Sequence, residues 1–306
     1  MLSIVICTFN RNDILKICLE TIVKYFPTNF TVEMIVVNNN STDSTAQTLT
    51  DFAKTYSWCK VVNEPKQGLS HARNAGFQSA SHSWILYLDD DAKIDQNLFN
   101  HVYENMKLQT YQCIGGMYLP WYMDEKPKWF RDKWASNQLA YDKLHLLHMN
   151  QFASGGIFLI HKSLLKKHKG FSTTYGMRGK HLGYGEETDL QRRIRKSGQK
   201  VGYYPEMIIY HLVPPHKMTV SWQLKSSFKM GQTFLASIGY PNNVISGFLA
   251  LFIGFLQLLV FGMVCLPKLF KSEYFIQNYT VDTLRKPLKW FGAFWASITF
   301  RNRPLS

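Results

Sequence analysis

The first ninety residues alternate between short apolar runs and longer amphipathic segments. The apolar runs are rich in β-branched residues and predict strands at 2–8, 32–37, 59–63 and 84–88. The segments between them have helical spacing of their apolar positions and predict helices at 13–25, 45–56 and 69–80. Because this alternation is typical of βαβ units, we expect an α/β fold: a Rossmann-like, mostly parallel central sheet flanked by helices.

Polar residues follow three of these predicted strands, at 8–11, 38–43 and 89–91. The carboxyl ends of parallel strands meet at one edge of the sheet, and ligands of open α/β sheets bind there. The pattern is that of a nucleotide-binding half.

The pattern between 118 and 211 is less regular. Residues 118–147 are rich in aromatic side chains and weakly periodic, so we expect them to cover a sheet edge or to form part of a substrate cleft. Further on, the apolar runs predict strands at 154–160, 200–204 and 207–211 and a basic-faced helix at 187–197.

Residues 244–266 contain no charged side chain. A helix of this length, at about 1.5 Å per residue, can cross a hydrocarbon core of about 30 Å. A buried core helix is the alternative, but residues 1–215 already supply a complete α/β domain. We therefore expect a catalytic domain at 1–215, with halves at 1–115 and 116–215, and a membrane-associated helical region at 216–306.

The topology of that region stays open at this point. Lysines lie on both sides of the apolar stretch, which conflicts with a simple single crossing. Its glycines, Gly247, Gly254 and Gly262, would allow a re-entrant hairpin, and residues 290–300 suit an interfacial helix.

Composition narrows the possible partners. The chain has 306 residues, 46% of them hydrophobic, which excludes a disordered chain, and its net charge of +14 indicates an anionic partner. A nucleic acid would account for the charge but not for the apolar stretch, so we expect a phosphorylated substrate and an anionic membrane instead. The five scattered cysteines form no CxxC pair, which favours a reduced, cytoplasmic location for the catalytic domain.

Three consecutive carboxylates, Asp89, Asp90 and Asp91, follow the apolar strand at 84–88. Such neighbours repel one another unless a cation or water neutralises them. Hard oxygen ligands suit Mg²⁺ or Mn²⁺, and these ions usually also bind phosphate oxygens of a substrate. A solvated acidic turn or a helix cap is the structural alternative.

A second acidic cluster, Glu186, Glu187 and Asp189, opens the predicted helix after a glycine-rich loop. The helix dipole alone favours carboxylates at this end, but one of them could also serve as a general base for an acceptor hydroxyl. His211 ends the strand at 207–211. A lone histidine is more often structural, but it would complete a metal site if its strand end lies beside Asp91.

Six motifs in order complete the pattern: SIVICTFNR at 3–11, IVVNNNSTD at 35–43, GLSHARNAG at 68–76, LDDD at 88–91, GEETDL at 185–190 and YH at 210–211. Over residues 2–215 the chain closely resembles the family 2 glycosyltransferases, which have the GT-A fold. The resemblance implies inverting transfer of a sugar from a nucleotide-diphosphate sugar, with Mg²⁺ or Mn²⁺ on the diphosphate.

The resemblance also implies residue roles. It puts the nucleotide-sugar donor against Thr8, Asn10, Arg11, Asn38, Arg73, Asp89 and Asp90. It implies metal ligation by Asp89, Asp91 and His211, with Glu187 as the catalytic base and Glu186 and Asp189 in support. Two departures from the family pattern matter: Glu187 stands where Asp is usual, which leaves Glu186 open as the base, and Asn38 stands where an Asp often pairs with the nucleobase.

Three functions fit these observations to different degrees. The first is a membrane-associated inverting glycosyltransferase that extends a lipid-linked or cell-surface polysaccharide precursor. The second is a nucleotidyltransferase or sugar-nucleotide-processing enzyme, which would use the metal carboxylates without needing Glu187. The third is a non-catalytic membrane scaffold, which would need neither acidic cluster.

Overall fold

The computed structural model describes residues 1–179, 182–239 and 243–299, with only the backbone at 236 and 237. The chain forms two compact units. The first comprises Met1–Trp121, Ala135–Thr173 and Leu190–Leu212, and the second comprises Tyr122–Trp134, Thr174–Asp189 and Val213–Ser306. Three short segments of the first 215 residues, 122–134, 174–189 and 213–215, therefore belong to the second unit.

A nine-stranded sheet forms the first unit. Its strands are β1 (Leu2–Thr8), β2 (Val32–Asn38), β3 (Cys59–Asn63), β4 (Trp84–Asp89), β5 (Ala92–Ile94), β6 (Cys113–Trp121), β7 (His145–Leu146), β8 (Ile157–His161) and β9 (Gly202–Leu212). The strand order is β3-β2-β1-β4-β8-β6-β9-β5, and β7 pairs with β9.

The helices connect these strands. They are α1 (Asn12–Lys24), α2 (Thr45–Thr55), α3 (Leu69–Ser79), α4 (Leu98–Leu108), α5 (Lys162–Lys167) and α6 (Glu186–Lys196). The chain passes through α1, α2 and α3 between the four parallel strands β1 to β4, as βαβ connections require. The predicted α/β fold is confirmed.

The sheet is parallel throughout only in its first half; in the second half β6 and β9 pair in parallel, and the other neighbouring strands are antiparallel. Strand β8 runs antiparallel to both β4 and β6, and β5 runs antiparallel to β9. The strands of this second half do not follow one another through regular βαβ units, so nothing in the connections forces them to be parallel. The sheet as a whole is mixed.

The core lies on both faces of the central strand β1. Leu2, Ile4 and Ile6 belong to one buried cluster, and Val5 belongs to a second cluster on the opposite face. Successive side chains of a strand point to opposite faces, so a strand covered on both sides is apolar at nearly every position. This explains why β1 appears in the sequence as a mostly apolar run, in which the buried Ser3 donates its hydroxyl to Glu33.

Five elements of the first unit were missing from the sequence-based prediction: β5, β6, β7, α4 and α5. The two strands predicted at 200–204 and 207–211 are a single strand, β9. Its pairing with β6 shifts register, from Gly115 opposite Tyr203 to Met117 opposite Ile208. Pro205 lies in this shift, where its missing N–H costs no ladder hydrogen bond.

Three long helices dominate the second unit: α7 (Val220–Ser237), α8 (Val244–Cys265) and α9 (Ile276–Thr299). Residues Val244–Phe270, which include α8, form a segment long and apolar enough to cross a membrane, and the most apolar 18 residues within it have a mean hydropathy of 2.6. Only 17% of its apolar window is buried, whereas a core helix would be mostly buried. Because α8 is continuous, its three glycines do not form the re-entrant break that the sequence would have allowed.

Glycines bring these helices into close contact. A Cβ at Gly231 of α7 would overlap the backbone carbonyl of Lys289 in α9, and one at Gly292 of α9 would overlap that of Phe228 in α7. A Cβ at Gly254 of α8 would overlap the ring of Phe291 in α9. Helix α9 therefore packs against α7 and also against α8.

These contacts predict opposite effects for two glycine substitutions. Gly231→Ala should destabilise the second unit by about 1–3 kcal/mol, because the new methyl group meets rigid backbone. Gly262→Ala is the matched control, since its nearest neighbour lies 3.9 Å away. It should be neutral or stabilising by up to about 1 kcal/mol through helix propensity. Urea unfolding of the full chain in detergent, followed by circular dichroism, measures both; equal stabilities would contradict the close packing of α7 and α9.

Candidate functional site

The acidic triplet lies where β4 turns into β5. Asp89 is the last residue of β4, and Asp90 and Asp91 form the turn to β5. Strand β5 pairs with β9 so that Ala92 lies opposite His211, and the N–H of Leu212 donates to the carbonyl of Asp91 at 3.0 Å. This pairing brings His211, more than a hundred residues further along the chain, beside the triplet.

The geometry of this group suits a metal ion. His211 Nε2 lies 3.1 Å from Asp91 Oδ1 and 3.4 Å from Asp89 Oδ2. One potential ligand atom from each of the three residues falls within 4.8 Å of the others. Two carboxylates and an imidazole offer the oxygen and nitrogen ligands that Mn²⁺ binds, and the carboxylates suit Mg²⁺ as well.

Two details of the hydrogen bonding support this fit. His211 Nδ1 lies 3.1 Å from the carbonyl oxygen of Leu212, which can only accept, so Nδ1 carries a proton. Nε2 is then the ring nitrogen that faces the carboxylates, where it donates to them when protonated and can bind a metal ion when deprotonated. Within the described residues, no donor makes a hydrogen bond to the buried Asp91 Oδ1. A metal ion bound between Nε2 and this oxygen would take the place of the proton on Nε2.

Two arginines balance the remaining charge. Arg11 contacts Asp90 at 2.9 Å and Asp91 Oδ2 at 3.0 Å, and Arg73 lies 3.7 Å from Asp89 Oδ1. Burial opposes ionisation of Asp89, but the hydrogen bond and charge of His211, together with both arginines, outweigh it and lower the pKa of Asp89 to about 2. Asp89 is therefore ionised at neutral pH.

Asp90 behaves differently. Burial raises the pKa of Asp90 to about 6, because Arg11 offsets the loss of hydration only in part and the neighbouring carboxylates add repulsion. The triplet thus contains two carboxylates beside His211 and one that is held by Arg11.

Two adjacent glycines let the chain approach this group closely. The Gly155 carbonyl accepts a hydrogen bond from Arg73 at 3.1 Å, and the Gly156 carbonyl accepts one from the Asp89 N–H at 3.2 Å. A Cβ would lie 2.6 Å from the Arg73 guanidinium at Gly155 and 2.8 Å from Asp89 Oδ2 at Gly156. Any side chain here would displace Arg73 or Asp89.

Three other residues expected on the nucleotide side lie at the ends of β1 and β2. Thr8 and Asn38 are buried and stand opposite each other in the parallel ladder. The Asn38 amide donates to Asn63 Oδ1 at 3.2 Å and accepts from the Ser41 N–H at 3.1 Å. Asn10, at a positive φ of 51°, accepts from the Thr42 N–H at 2.7 Å. The polar loops after the two strands are thereby tied together.

The carboxylates of the second acidic cluster begin α6, in the second unit. Gly185 precedes them at a φ of +104°, which a residue with a side chain rarely adopts. Glu186 and Asp189 are buried and Glu187 is half-buried. Deeply placed carboxylates at a helix N-terminus combine the stabilising dipole with the restricted hydration expected of a general base.

Two residues of the aromatic stretch 118–147, Tyr118 and Trp121, contact the acidic triplet or its histidine, a placement that the sequence did not predict. The Trp121 indole N–H lies 3.3 Å from the Asp91 carbonyl, and the Tyr118 ring centroid lies 5.5 Å from that of His211. Lys93 places its ammonium 3.8 Å from the Trp121 ring centroid. Both aromatics come from β6, which the sequence pattern did not predict, so the only available signal was the aromatic richness of 118–147.

Comparison with known proteins agrees with this geometry. Residues 3–169 match the family described as Glycosyl transferase family 2. The succinoglycan biosynthesis protein ExoM of Rhizobium meliloti is 22% identical over 244 residues, covering 76% of this chain and 73% of that protein. Glycosyltransferase GlyA of Streptococcus pneumoniae is 27% identical over 38% of this chain, a match that spans only 17% of GlyA.

Solved structures share the fold. The mannosyltransferase PcManGT from Pyrobaculum calidifontis, in complex with GDP-Man and Mn²⁺, aligns with a TM-score of 0.58 at 17% identity, covering 78% of this chain and 64% of that one. Staphylococcus aureus TarS 1–349 in complex with UDP-GlcNAc aligns with a TM-score of 0.52 at 12% identity, covering 75% and 66%. At these identities the likeness shows the GT-A fold.

The geometry predicts that Mn²⁺ binds the protein even without a donor. Asp91→Asn should weaken Mn²⁺ binding at least about tenfold, because it removes a charged ligand from a small set. Asp51→Asn is the control, since Asp51 lies exposed on α2 beside Lys54. Isothermal titration calorimetry of the full chain with MnCl₂ measures both, and equal affinities would contradict the assignment.

Proposed function

The chain belongs to glycosyl transferase family 2 and is a glycosyltransferase, and on that premise we propose that it transfers a sugar, with inversion, from a nucleoside-diphosphate sugar to an acceptor hydroxyl. The observation that carries the proposal is the Asp89, Asp91 and His211 group, placed where β4 and β9 meet β5. A metal that binds there would neutralise charge on the diphosphate leaving group. Mn²⁺ and GDP-Man are bound together in the structurally similar mannosyltransferase.

The arginines and the loop residues define the donor side of the proposal. Arg11 and Arg73 already contact the acidic triplet, so in the complex they would stabilise the diphosphate next to it. Thr8, Asn10 and Asn38 would face the nucleoside. Because Asn38 can both donate and accept a hydrogen bond, it suits a uracil or thymine edge as well as the in-chain partners it has here.

The proposed chemistry is a single displacement. The acceptor oxygen forms a bond to the anomeric carbon while the bond from that carbon to the diphosphate oxygen breaks, and the electron pair leaves with the nucleoside diphosphate. The acceptor proton passes to the carboxylate of Glu187, with Glu186 and Asp189 supporting it. Attack opposite the leaving group inverts the anomeric configuration.

For the acceptor we propose a lipid-linked or cell-surface polysaccharide precursor, reached from the cytoplasmic side of a membrane. The apolar α8 supports membrane association. The related ExoM functions in succinoglycan biosynthesis, and a further relative at 27% identity is a poly-β-1,6-N-acetyl-D-glucosamine synthase of Staphylococcus epidermidis. No nucleic acid is involved in this proposal.

A donor screen tests the proposal directly. The purified full chain in detergent is incubated with UDP-, GDP-, CDP- and dTDP-sugars and Mn²⁺ or Mg²⁺, with and without a membrane-lipid extract. We expect metal-dependent release of one nucleoside diphosphate, stimulated by the extract. A chain that releases no nucleoside diphosphate, but converts the nucleotide sugar and added inorganic pyrophosphate into a nucleoside triphosphate and a sugar 1-phosphate, would instead be a nucleotidyltransferase. Donor binding with no turnover under any condition would favour the scaffold.

The role of Glu187 predicts a separation of binding from catalysis. Glu187→Gln should lower the rate of transfer by about 10²–10⁴-fold, the range for loss of a general base, while leaving the donor Kd nearly unchanged. Single-turnover kinetics measure the rate, and isothermal titration calorimetry with the donor and Mn²⁺ measures the affinity.

Two further variants interpret that result. Glu104→Gln is the matched control, an exposed carboxylate on α4 that should leave both quantities unchanged. Glu186→Gln decides the choice that the sequence left open. If Glu187→Gln transfers at the normal rate and Glu186→Gln does not, the base is Glu186.

A further inference from the structure

Helix α8 exposes one continuous apolar face. The face consists of Ile245, Phe248, Leu249, Phe252, Phe255, Leu256, Leu259, Val260, Met263 and Val264, all of them exposed. Their spacing of three and four residues places them along one side of the helix. A patch of this size on a soluble surface marks an interaction site.

The opposite face of α8 is covered by α9, which runs antiparallel to it. Gly247 faces Ser297, Gly254 faces Phe291, and Gly262 lies closest to Thr283. From Gly247 to Gly262 the two helices therefore lie side by side for about 22 Å, at about 1.5 Å per residue. This is most of the roughly 30 Å that a hydrocarbon core measures.

Helix α9 carries four charged residues along this stretch: Asp282, Arg285, Lys286 and Lys289. The Lys286 ammonium lies 4.6 Å from the ring centroid of Phe261 in α8, and the side chain is exposed. Asp282 pairs with Arg131 at 3.0 Å. If α8 crossed a bilayer upright, α9 would enter beside it and carry these charges into the hydrocarbon, where ionised side chains are costly.

We propose that α8 lies along the membrane surface, with its apolar face in one leaflet and both of its ends on the same side of the bilayer. In this orientation α9 stays at the level of the headgroups, and Lys268, Lys271 and Lys286 meet anionic lipid. The partner is thus an anionic phospholipid leaflet. The proposal rests on the membrane association proposed above and deepens it by fixing the topology.

The test of topology uses a membrane-impermeant maleimide. The full chain is bound to the outside of preformed vesicles containing about 30% phosphatidylglycerol, which supplies the anionic surface. Ser272→Cys reports the exposed end after α8, and Lys16→Cys, exposed on α1, reports the side of the first unit. The unmodified chain gives the background, since four of its cysteines are buried and Cys7 is half-buried.

We expect both introduced cysteines to react to the same extent before and after detergent is added. If Ser272→Cys reacts only after detergent while Lys16→Cys reacts before it, α8 crosses the bilayer; the surface orientation is then wrong although membrane association stands. If the unmodified chain does not bind the vesicles at all, the surface orientation and the proposed membrane association are both wrong. Neither result bears on sugar transfer, which the donor screen measures in detergent.

A pair of variants tests which face enters the lipid. Phe252→Asp combined with Leu259→Asp should reduce the vesicle-bound fraction at least about tenfold in cosedimentation, because it places two charges in the apolar face. Leu108→Asp is the matched control, an equally exposed leucine at the end of α4 that should change nothing. If the double variant binds vesicles normally but converts a dimer of the chain to a monomer in analytical ultracentrifugation, the face binds a second copy and the proposal is overturned.

Discussion

Repulsion among three consecutive carboxylates is the constraint on which the described site depends. Asp90 and Asp91 are almost fully buried, and leaving an ionised carboxylate without compensation in such a place costs several kcal/mol per ion. The compensation comes from three separate parts of the chain: Arg11 after β1, Arg73 in α3 and His211 in β9. The buried acidic turn is therefore compensated only in the assembled sheet, where these three residues lie beside it.

The order of the strands brings these compensating residues to the triplet. Strand β1 lies beside β4, so the residues that follow β1 reach the triplet at the end of β4. The short β5 holds β9 in place and brings His211 to the opposite side of the triplet. The glycines before β8 admit Arg73 and Asp89 to close contact with the backbone. Each of these elements helps to build the sheet and, by the same contacts, positions a residue of the site.

The first four strands and their helices were predictable because their periodicity is local: buried parallel strands are apolar throughout, and the helices between them are amphipathic. Strand β6 was not predictable, since it begins with Cys-Ile-Gly-Gly and includes Pro120. Its formation as a strand depends on distant partners in β8 and β9. At the site, the acidic triplet was visible in the sequence. For His211 the sequence could say only that it would complete a metal site if its strand end lay beside Asp91. Its proximity to Asp91 comes from the pairing of β5 with β9, which no local pattern encodes.

For the C-terminal helices, too, the local sequence pattern does not show which element packs beside which. Length and apolarity are properties of α8 alone, and they fit a helix that crosses a bilayer as well as one that lies on it. The helix that packs against α8 distinguishes the crossing orientation from the surface orientation. This neighbour is α9, which is held against α8 by glycine contacts that leave no space for a side chain at Gly247 or Gly254. In the proposed surface orientation, the unit that meets the lipid is therefore the helix pair, and its charged member decides how deeply the apolar member can enter.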